Sequence, residues 1–268
     1  MKYLRALAVI VCLVGTHLRR SLDAIRFWSK KMGISRIYLV HGRDGGEGWI
    51  FAYMSKRNAE DMKHALEVFE PELLEVDFMD YGDVFKKIYP ILSSARQRGE
   101  EVLIDVSSTT DIAESACLTL AMMFSNVKIY YVPSAEPAWY VEGKPGEERF
   151  ERWFSRARNI RGREPVEMEL PGYRLEPKTK REWMRWEREK RVLVALLKLG
   201  GEASSISDVI RALGHRRITS ALRNSFSKAV TSLEAKGLVE TRRIRKRKVV
   251  RLTRFGKIMA EAVAEAGG

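Results

Sequence analysis

The chain has 268 residues, 45% of them apolar and 31% charged, with a formal net charge of +13. That length allows two domains of ordinary size or one large one, and the apolar fraction can fill real cores, so disorder of the whole chain is excluded. Residues 1–145 hold 18 Lys and Arg against 19 Asp and Glu, whereas residues 146–268 hold 30 against 16; this is the asymmetry of a polyanion-binding module joined to a neutral one, or of a solvated basic face.

The N-terminus, MKYLR followed by ALAVIVCLV, imitates the charged and apolar regions of a signal peptide. Its apolar run is too short to span a bilayer. It ends in Gly15, Thr16, His17, Leu18, Arg19 and Arg20, with no small-x-small cleavage site. A β-branched run closing on a glycine turn is the pattern of a buried strand, so a cytoplasmic protein without a membrane partner is expected. Cys12 and Cys117 each lie in an apolar run with no Cys-x-x-Cys and no His cluster, which points to buried free thiols in a reducing compartment and to no zinc site. One Gln and four Asn in a highly charged chain are the composition of a thermophilic source.

A helix is predicted over Leu18–Met32, stopped by Gly33, then a strand over Arg36–Gly42 and a glycine-rich loop, GRDGGEG. Asn58–Phe69 is predicted as a helix with Met62, Leu66 and Phe69 on one face. A strand over Leu73–Asp80, a helix over Tyr81–Gly99, a strand over Glu101–Val106, a helix over Asp111–Phe124 and a strand over Val127–Ser134 follow. Such alternation predicts parallel βαβ units, and residues 1–145 are expected to form an α/β, doubly wound, mostly parallel Rossmann-like sheet. Ligands in such sheets sit beyond the carboxyl ends of strands. Attention therefore falls on VGTH after the first strand and DVSSTT after the fourth.

Residues 146–180 are charged and less regular, with a helical ERFERWFSRARNIRG and a proline-bounded EPVEMELPGYRLEP, and read as a connector. Residues 181–268 change pattern. A helix over Arg181–Gly201 ends in Gly-Gly, and a second, SISDVIRALG, has Ser205 or Ser207 available as a cap. A third places Phe226, Val230 and Leu233 at i, i+4 and i+7, leaving polar residues on its other faces. LVETRRIRKRKVVRLT then alternates as a hairpin with a basic tip.

Helix, helix, polar-faced helix and basic hairpin, with SLEAKGLVE and LTRFGKIMAE, resemble the winged helix-turn-helix family. The resemblance implies double-stranded DNA as partner. It assigns the recognition-helix face to Asn224, Ser225, Ser227 and Lys228, and the wing to Arg242, Arg243, Arg245, Lys246 and Arg247. Wing cations on phosphate position a protein without reading sequence, so affinity is expected to be largely electrostatic and salt-dependent. A winged helix serving protein contacts is the alternative.

The stretch IDVSSTTDIAESA, Ile104–Ala116, runs from a strand through four hydroxyl residues into a helix. It has neither Gly nor Lys for a P-loop, VGTHLRR has one glycine where a dinucleotide fingerprint needs three, and no Gly-x-Ser-x-Gly elbow is present. What remains is a cradle of hydroxyls and backbone N–H groups at a helix N-terminus, suited to an anion, or helix capping by Thr110 or Ser108.

An α/β domain with a short loop after its first strand, an Asp-x-Ser/Thr-rich turn after its fourth and a C-terminal winged helix resembles the CRISPR-associated Rossmann fold (CARF) regulators of archaea. Their turn is often Asp-Leu-Thr-Gly-Gly-Thr-Lys; this chain keeps Asp105, Ser107, Ser108, Thr109 and Thr110, without the glycines and the lysine. The resemblance implies a homodimer that binds a cyclic oligoadenylate, often cyclic tetra-adenylate, across a two-fold axis, with no other cofactor. The ligand would be lined by Gly15, Thr16, His17, Ser107, Ser108, Thr109 and Thr110. It implies a ligand-responsive transcriptional regulator of CRISPR-Cas loci in antiviral defence. The alternative is a metal-independent ring nuclease in which His17 acts as general acid or base and Ser107 or Thr109 stabilises the transition state. An RNA-cleaving effector fits less well, because the C-terminal half lacks the Arg-x4-6-His pattern often attached to such domains.

Overall fold

The computed structural model describes residues 7–43, 49–136, 141–168, 179–244 and 247–267. The chain divides into two compact units, Met1–Leu175 and Glu176–Gly268.

The first unit runs β1 (Leu7–Leu13), α1 (Leu18–Lys31), β2 (Gly33–Gly42), α2 (Trp49–Ala65), β3 (Glu72–Val76), α3 (Tyr81–Gln97), β4 (Glu101–Asp105), α4 (Asp111–Met123), β5 (Val127–Tyr131), α5 (Glu148–Asn159) and β6 (Val166–Glu167). Its strands line up in the order β3-β2-β1-β4-β5-β6. The first five are mutually parallel and β6 is an antiparallel edge. Helices α1, α2 and α5 touch one another in the pairs α1–α2 and α1–α5, while α3 packs on α4, the two-sided covering of a doubly wound, Rossmann-like sheet. β1 lies at the centre and is buried from Ala8 to Leu13, which explains its unbroken apolar run. The core around it joins Ile10, Leu22, Ile25, Trp28, Leu39, Met62 and Leu103.

Several boundaries differ from the sequence reading. Met32 is extended, with φ −144°, so the chain leaves α1 straight into β2 and Gly33 opens the strand instead of stopping the helix. α2 begins at Trp49, nine residues before Asn58, because its early turns bury Met54 against Phe150 and Phe154 of α5. Phe69 is in a short 3₁₀ turn and 37% exposed, whereas Met62 and Leu66 are buried. β3 ends at Val76, since Asp80 is needed as the N-cap of α3, accepting from the Gly82 N–H at 2.7 Å. The stretch expected as a connector opens with α5, whose Phe150, Trp153, Phe154 and Ala157 are buried in the first unit. An acidic start and basic end hid that apolar stripe. Residues 44–48 of the glycine-rich loop and 169–177 of the proline-bounded stretch, with Lys178 after it, lie outside the described residues.

The second unit runs α6 (Lys180–Lys198), β7 (Glu202–Ala203), α7 (Ile206–Ala212), α8 (Ser220–Ala235), β8 (Val239–Ile244), β9 (Arg247–Leu252) and α9 (Arg254–Ala266). Its antiparallel sheet has the order β7-β9-β8. Three helices with a short strand after the first and a hairpin after the third make a winged helix-turn-helix, completed by α9 packing on α6. β7 is too short to have left a sequence signal. Ser205, not Ser207, caps α7 by accepting from the Asp208 N–H. Gly256 lies so close to the α8–β8 turn that a Cβ there would stand 1.8 Å from the Leu238 carbonyl oxygen, the physical reason for glycine within LTRFGK.

Candidate functional site

In the first unit, β1 and β4 are neighbours, and the strand order runs outward in opposite directions from them. Their carboxyl ends therefore open the topological switch point, where the crevice of such a sheet lies. The two loops singled out in the sequence meet there. Gly15 approaches the β4–α4 turn so closely that a Cβ would lie 1.8 Å from the Ser108 carbonyl oxygen and 2.5 Å from Ser108 Oγ. The His17 N–H donates to Ser108 Oγ at 3.3 Å.

The four hydroxyls have distinct surroundings. Ser107 closes the turn on its own strand: its N–H donates to Asp105 Oδ1 at 2.9 Å, its hydroxyl donates to the same oxygen, and its Oγ accepts from the Val132 N–H at 2.7 Å. Ser108 accepts from His17. Thr110 is the N-cap of α4, accepting from the Ala113 N–H at 3.2 Å while its hydroxyl donates to the Phe78 carbonyl at 2.6 Å. Thr109 Oγ1 is buried and has no partner among the described residues. Three of the four hydroxyls thus hold the corner itself, so the role of helix cap belongs to Thr110, and Thr109 alone keeps its full hydrogen-bonding capacity.

Asp105 sits beneath the turn, fully buried, and burial pushes its carboxyl above the ordinary carboxylate value, opposed by the Ser107 hydrogen bonds and by the charge of Arg20. Arg20 turns inward from α1, its Nε donating to the Val132 carbonyl at 2.9 Å. Cys12, paired with Asp105 across the β1–β4 ladder, donates its thiol to Asp105 Oδ2 at 3.7 Å; burial raises it strongly. Both cysteines are free and buried.

His17 is the N-cap of α1 and makes no side-chain cap there. Its Nδ1 lies 2.9 Å from the Ala157 carbonyl of α5. A carbonyl only accepts, so Nδ1 carries the proton and Nε2 is the basic nitrogen of the neutral ring. Burial lowers its affinity for a second proton, and the Arg20 charge acts in the same direction.

Two residues that sequence reasoning missed support the first loop. Asn58 Nδ2 donates to the carbonyls of Gly15 at 2.7 Å and Thr16 at 3.0 Å. Ser55 Oγ donates to the Val14 carbonyl and accepts from the Gly42 N–H at 2.9 Å. The available signal was Ser-x-x-Asn on a helix whose neighbours on that face are apolar. Among the described residues no group of His, Cys, Asp or Glu gathers as a metal site, and no helix is long and apolar enough to cross a membrane.

In the second unit the exposed stripe of α8 runs through Ser220, Asn224, Lys228 and Thr231, one face of a 3.6-residue period. Ser225 and Ser227 are half-buried at its edges. Arg242 and Arg243 are exposed on β8 and, being consecutive in a strand, point to opposite faces of the wing. Arg243 stands opposite Lys248, whose Nζ is 3.5 Å from Glu234. Arg247 opens β9, and Arg245 and Lys246 lie outside the described residues. Exposed Arg216, Arg217 and Arg223 add charge around the N-terminus of α8. Arg216 and Arg217 were legible as the basic run HRR before the Thr219 cap. α8 is seated on α6 through buried Glu189, which pairs with Lys236, whose Nζ also lies 4.6 Å from the Trp186 ring centre.

Comparison with known proteins places this geometry in context. A family model described as "HFX_2341_N:-like, N-terminal" matches residues 10–137, the stretch holding both crevice loops. No curated protein matches the chain. Among solved structures, Can2 from Sulfobacillus thermosulfidooxidans in complex with cyclic tetra-adenylate is 15% identical with a TM-score of 0.34, over 97% of this chain and 64% of that one. Enterococcus italicus Csm6 bound to cyclic hexa-2'-fluoro-hexa-dAMP is 12% identical with a TM-score of 0.39, over 87% and 55%. SSV1 F-93 is 22% identical with a TM-score of 0.24, over 29% of this chain and 83% of that one. The chain thus spans less than two thirds of the length of Can2 and of Csm6.

Proposed function

We propose that this protein is a ligand-responsive DNA-binding regulator of the CRISPR-associated Rossmann fold type, acting on CRISPR-Cas loci. Its first unit receives a cyclic oligoadenylate, cyclic tetra-adenylate in the first instance, across a homodimer axis; its second unit binds double-stranded DNA. The observation that carries the reading is the meeting of the Gly15–His17 and Ser107–Thr110 loops at the switch point, where two helix N-termini, one without a side-chain cap, favour an anion. A winged helix-turn-helix with Asn224, Lys228, Arg242 and Arg243 exposed supplies the DNA side. Ligand alters DNA affinity only if it binds the two arrangements of the dimer unequally. Mobility-shift titration against DNA upstream of CRISPR loci, with and without cyclic tetra-adenylate, tests this. An affinity unchanged at saturating ligand overturns the coupling.

His17 favours a second reading, a metal-independent ring nuclease. A neutral imidazole held by the Ala157 carbonyl presents Nε2 as a base that takes the proton of a ribose 2′-hydroxyl as its oxygen bonds to the adjacent phosphorus; the P–O5′ bond breaks, the departing 5′-oxygen is protonated from solvent, and the opened chain ends in a 2′,3′-cyclic phosphate. Chromatography of labelled ligand after incubation decides: a linear product supports the enzyme, and intact ring excludes it.

A further inference from the structure

Three successive carbonyls of the loop after β1 are taken by α2. Val14 accepts from Ser55, and Gly15 and Thr16 both accept from the single amide of Asn58. Ser55 and Asn58 are completely buried. Chemistry settles the Asn58 orientation, because the reversed amide would set its oxygen against two carbonyl oxygens.

Every peptide of the described chain is trans, and in a trans peptide C=O and N–H point in opposite directions. Drawing the carbonyls of Val14, Gly15 and Thr16 toward α2 therefore turns the N–H groups of Gly15, Thr16 and His17 away from it. The His17 N–H marks that direction by reaching Ser108 Oγ across the crevice. The N–H groups of Gly15 and Thr16 meet no acceptor among the described residues. Asn58 Oδ1 also lacks a partner there although the residue is fully buried. An apolar side chain of the same shape would avoid that unmet acceptor. The value of Asn58 at this position thus lies in its two donors.

We propose that Ser55 and Asn58 are positioning residues that hold the Gly15 and Thr16 amides toward the crevice, where they and the first turn of α1 receive a phosphodiester oxygen of the bound nucleotide. This rests on the ligand reading above. Neither side chain touches the ligand; both act through the loop.

The test uses the full chain and cyclic tetra-adenylate, with calorimetric titration and amide hydrogen exchange at residues 14–18. Asn58→Leu keeps the branching and removes both donors; Ser55→Ala removes the hydroxyl, and Ser55→Thr retains it. N58L is expected to weaken binding about tenfold or more and S55A by less, with S55T close to the parent. Ligand is expected to protect the Gly15 and Thr16 amides in the parent and S55T, and not in N58L. If N58L does not fold, the contrast between S55A and S55T decides. A parent that binds while the folded variants bind within about twofold of it, with protection unchanged, overturns this inference alone. A parent that binds no cyclic tetra-adenylate overturns the site reading and this inference with it.

Discussion

The switch-point corner of the first unit and the outer face of α8 and its wing are both built from polar residues, yet they use them in opposite ways. In the corner, Ser107, Ser108, Thr110, Asp105, Asn58 and Arg20 are turned on one another, and a group left over, such as Thr109 Oγ1, stands out. On α8 and the wing, Asn224, Lys228, Arg242 and Arg243 point into solvent. A saturated corner transmits any change into the fold. An exposed cationic face transmits it only into affinity for a partner.

The contrast is sharpest at two glycines. Gly15→Ala forces a Cβ onto the Ser108 carbonyl and is expected to cost about 3 kcal/mol and to abolish the response to cyclic tetra-adenylate. Gly256→Ala makes the same collision with Leu238 in the second unit. It is expected to impair DNA binding while ligand binding survives. Scanning calorimetry with both binding assays checks the pair, and loss of both activities in either variant breaks the separation.

Asp105→Ala removes the acceptor of both Ser107 hydrogen bonds and is expected to cost about 2 kcal/mol. Asp105→Asn tests the buried charge. Burial raises the Asp105 carboxyl above its ordinary value of 3.8, so the folded state holds its proton longer than the unfolded chain does. The stability this lends is complete below the ordinary value and is lost as pH rises through the raised one. Urea midpoints should therefore shift in favour of D105N across that window. A pH-independent difference would remove buried ionisation from the account.

On the exposed face, Lys228→Ala, Arg242→Ala and Arg243→Ala together should weaken DNA binding more than tenfold at moderate salt. Each substitution should reduce the slope of log affinity against log salt by about one, with the melting temperature unmoved. Equal slopes for parent and triple variant would take these cations off the phosphates. The smallest effect concerns His17, which burial holds below its ordinary 6.5. The folded state then binds fewer protons, so its stability is present above 6.5 and lost as pH falls through the lowered value. Against His17→Gln, the parent should lose urea resistance as pH falls below the ordinary 6.5.

The regular elements around the core were legible because their signals are local. Ala8–Leu13 is apolar without a break, as a strand covered on both faces must be, and Phe226, Val230 and Leu233 keep the period of a helix with one buried stripe. α5 was visible as a helix but not as part of the first unit, because its exposed face carries most of the charge that composition registers. The start of α2 was missed for a related reason. Its early turns are apolar and aromatic, and its buried face includes Ser55 and Asn58, which weaken the contrast that periodicity detects. That misplaced boundary hid Ser55 as a candidate altogether.

By itself, the sequence determined the division into a neutral α/β unit and a basic helical one, the two strand ends whose loops meet at the switch point, and the basic hairpin, since each follows from nearest-neighbour pattern, charge and turn chemistry. Tertiary structure alone decided what the corner residues do. Val132 and Phe78 supply partners for Ser107 and Thr110, Ala157 fixes the His17 tautomer, and Asn58 sets the direction of the Gly15 loop, from positions 25 to 140 residues away. A hydroxyl's sequence neighbours do not specify whether it faces its own chain or a ligand; that depends on which distant backbone groups folding brings within hydrogen-bonding reach.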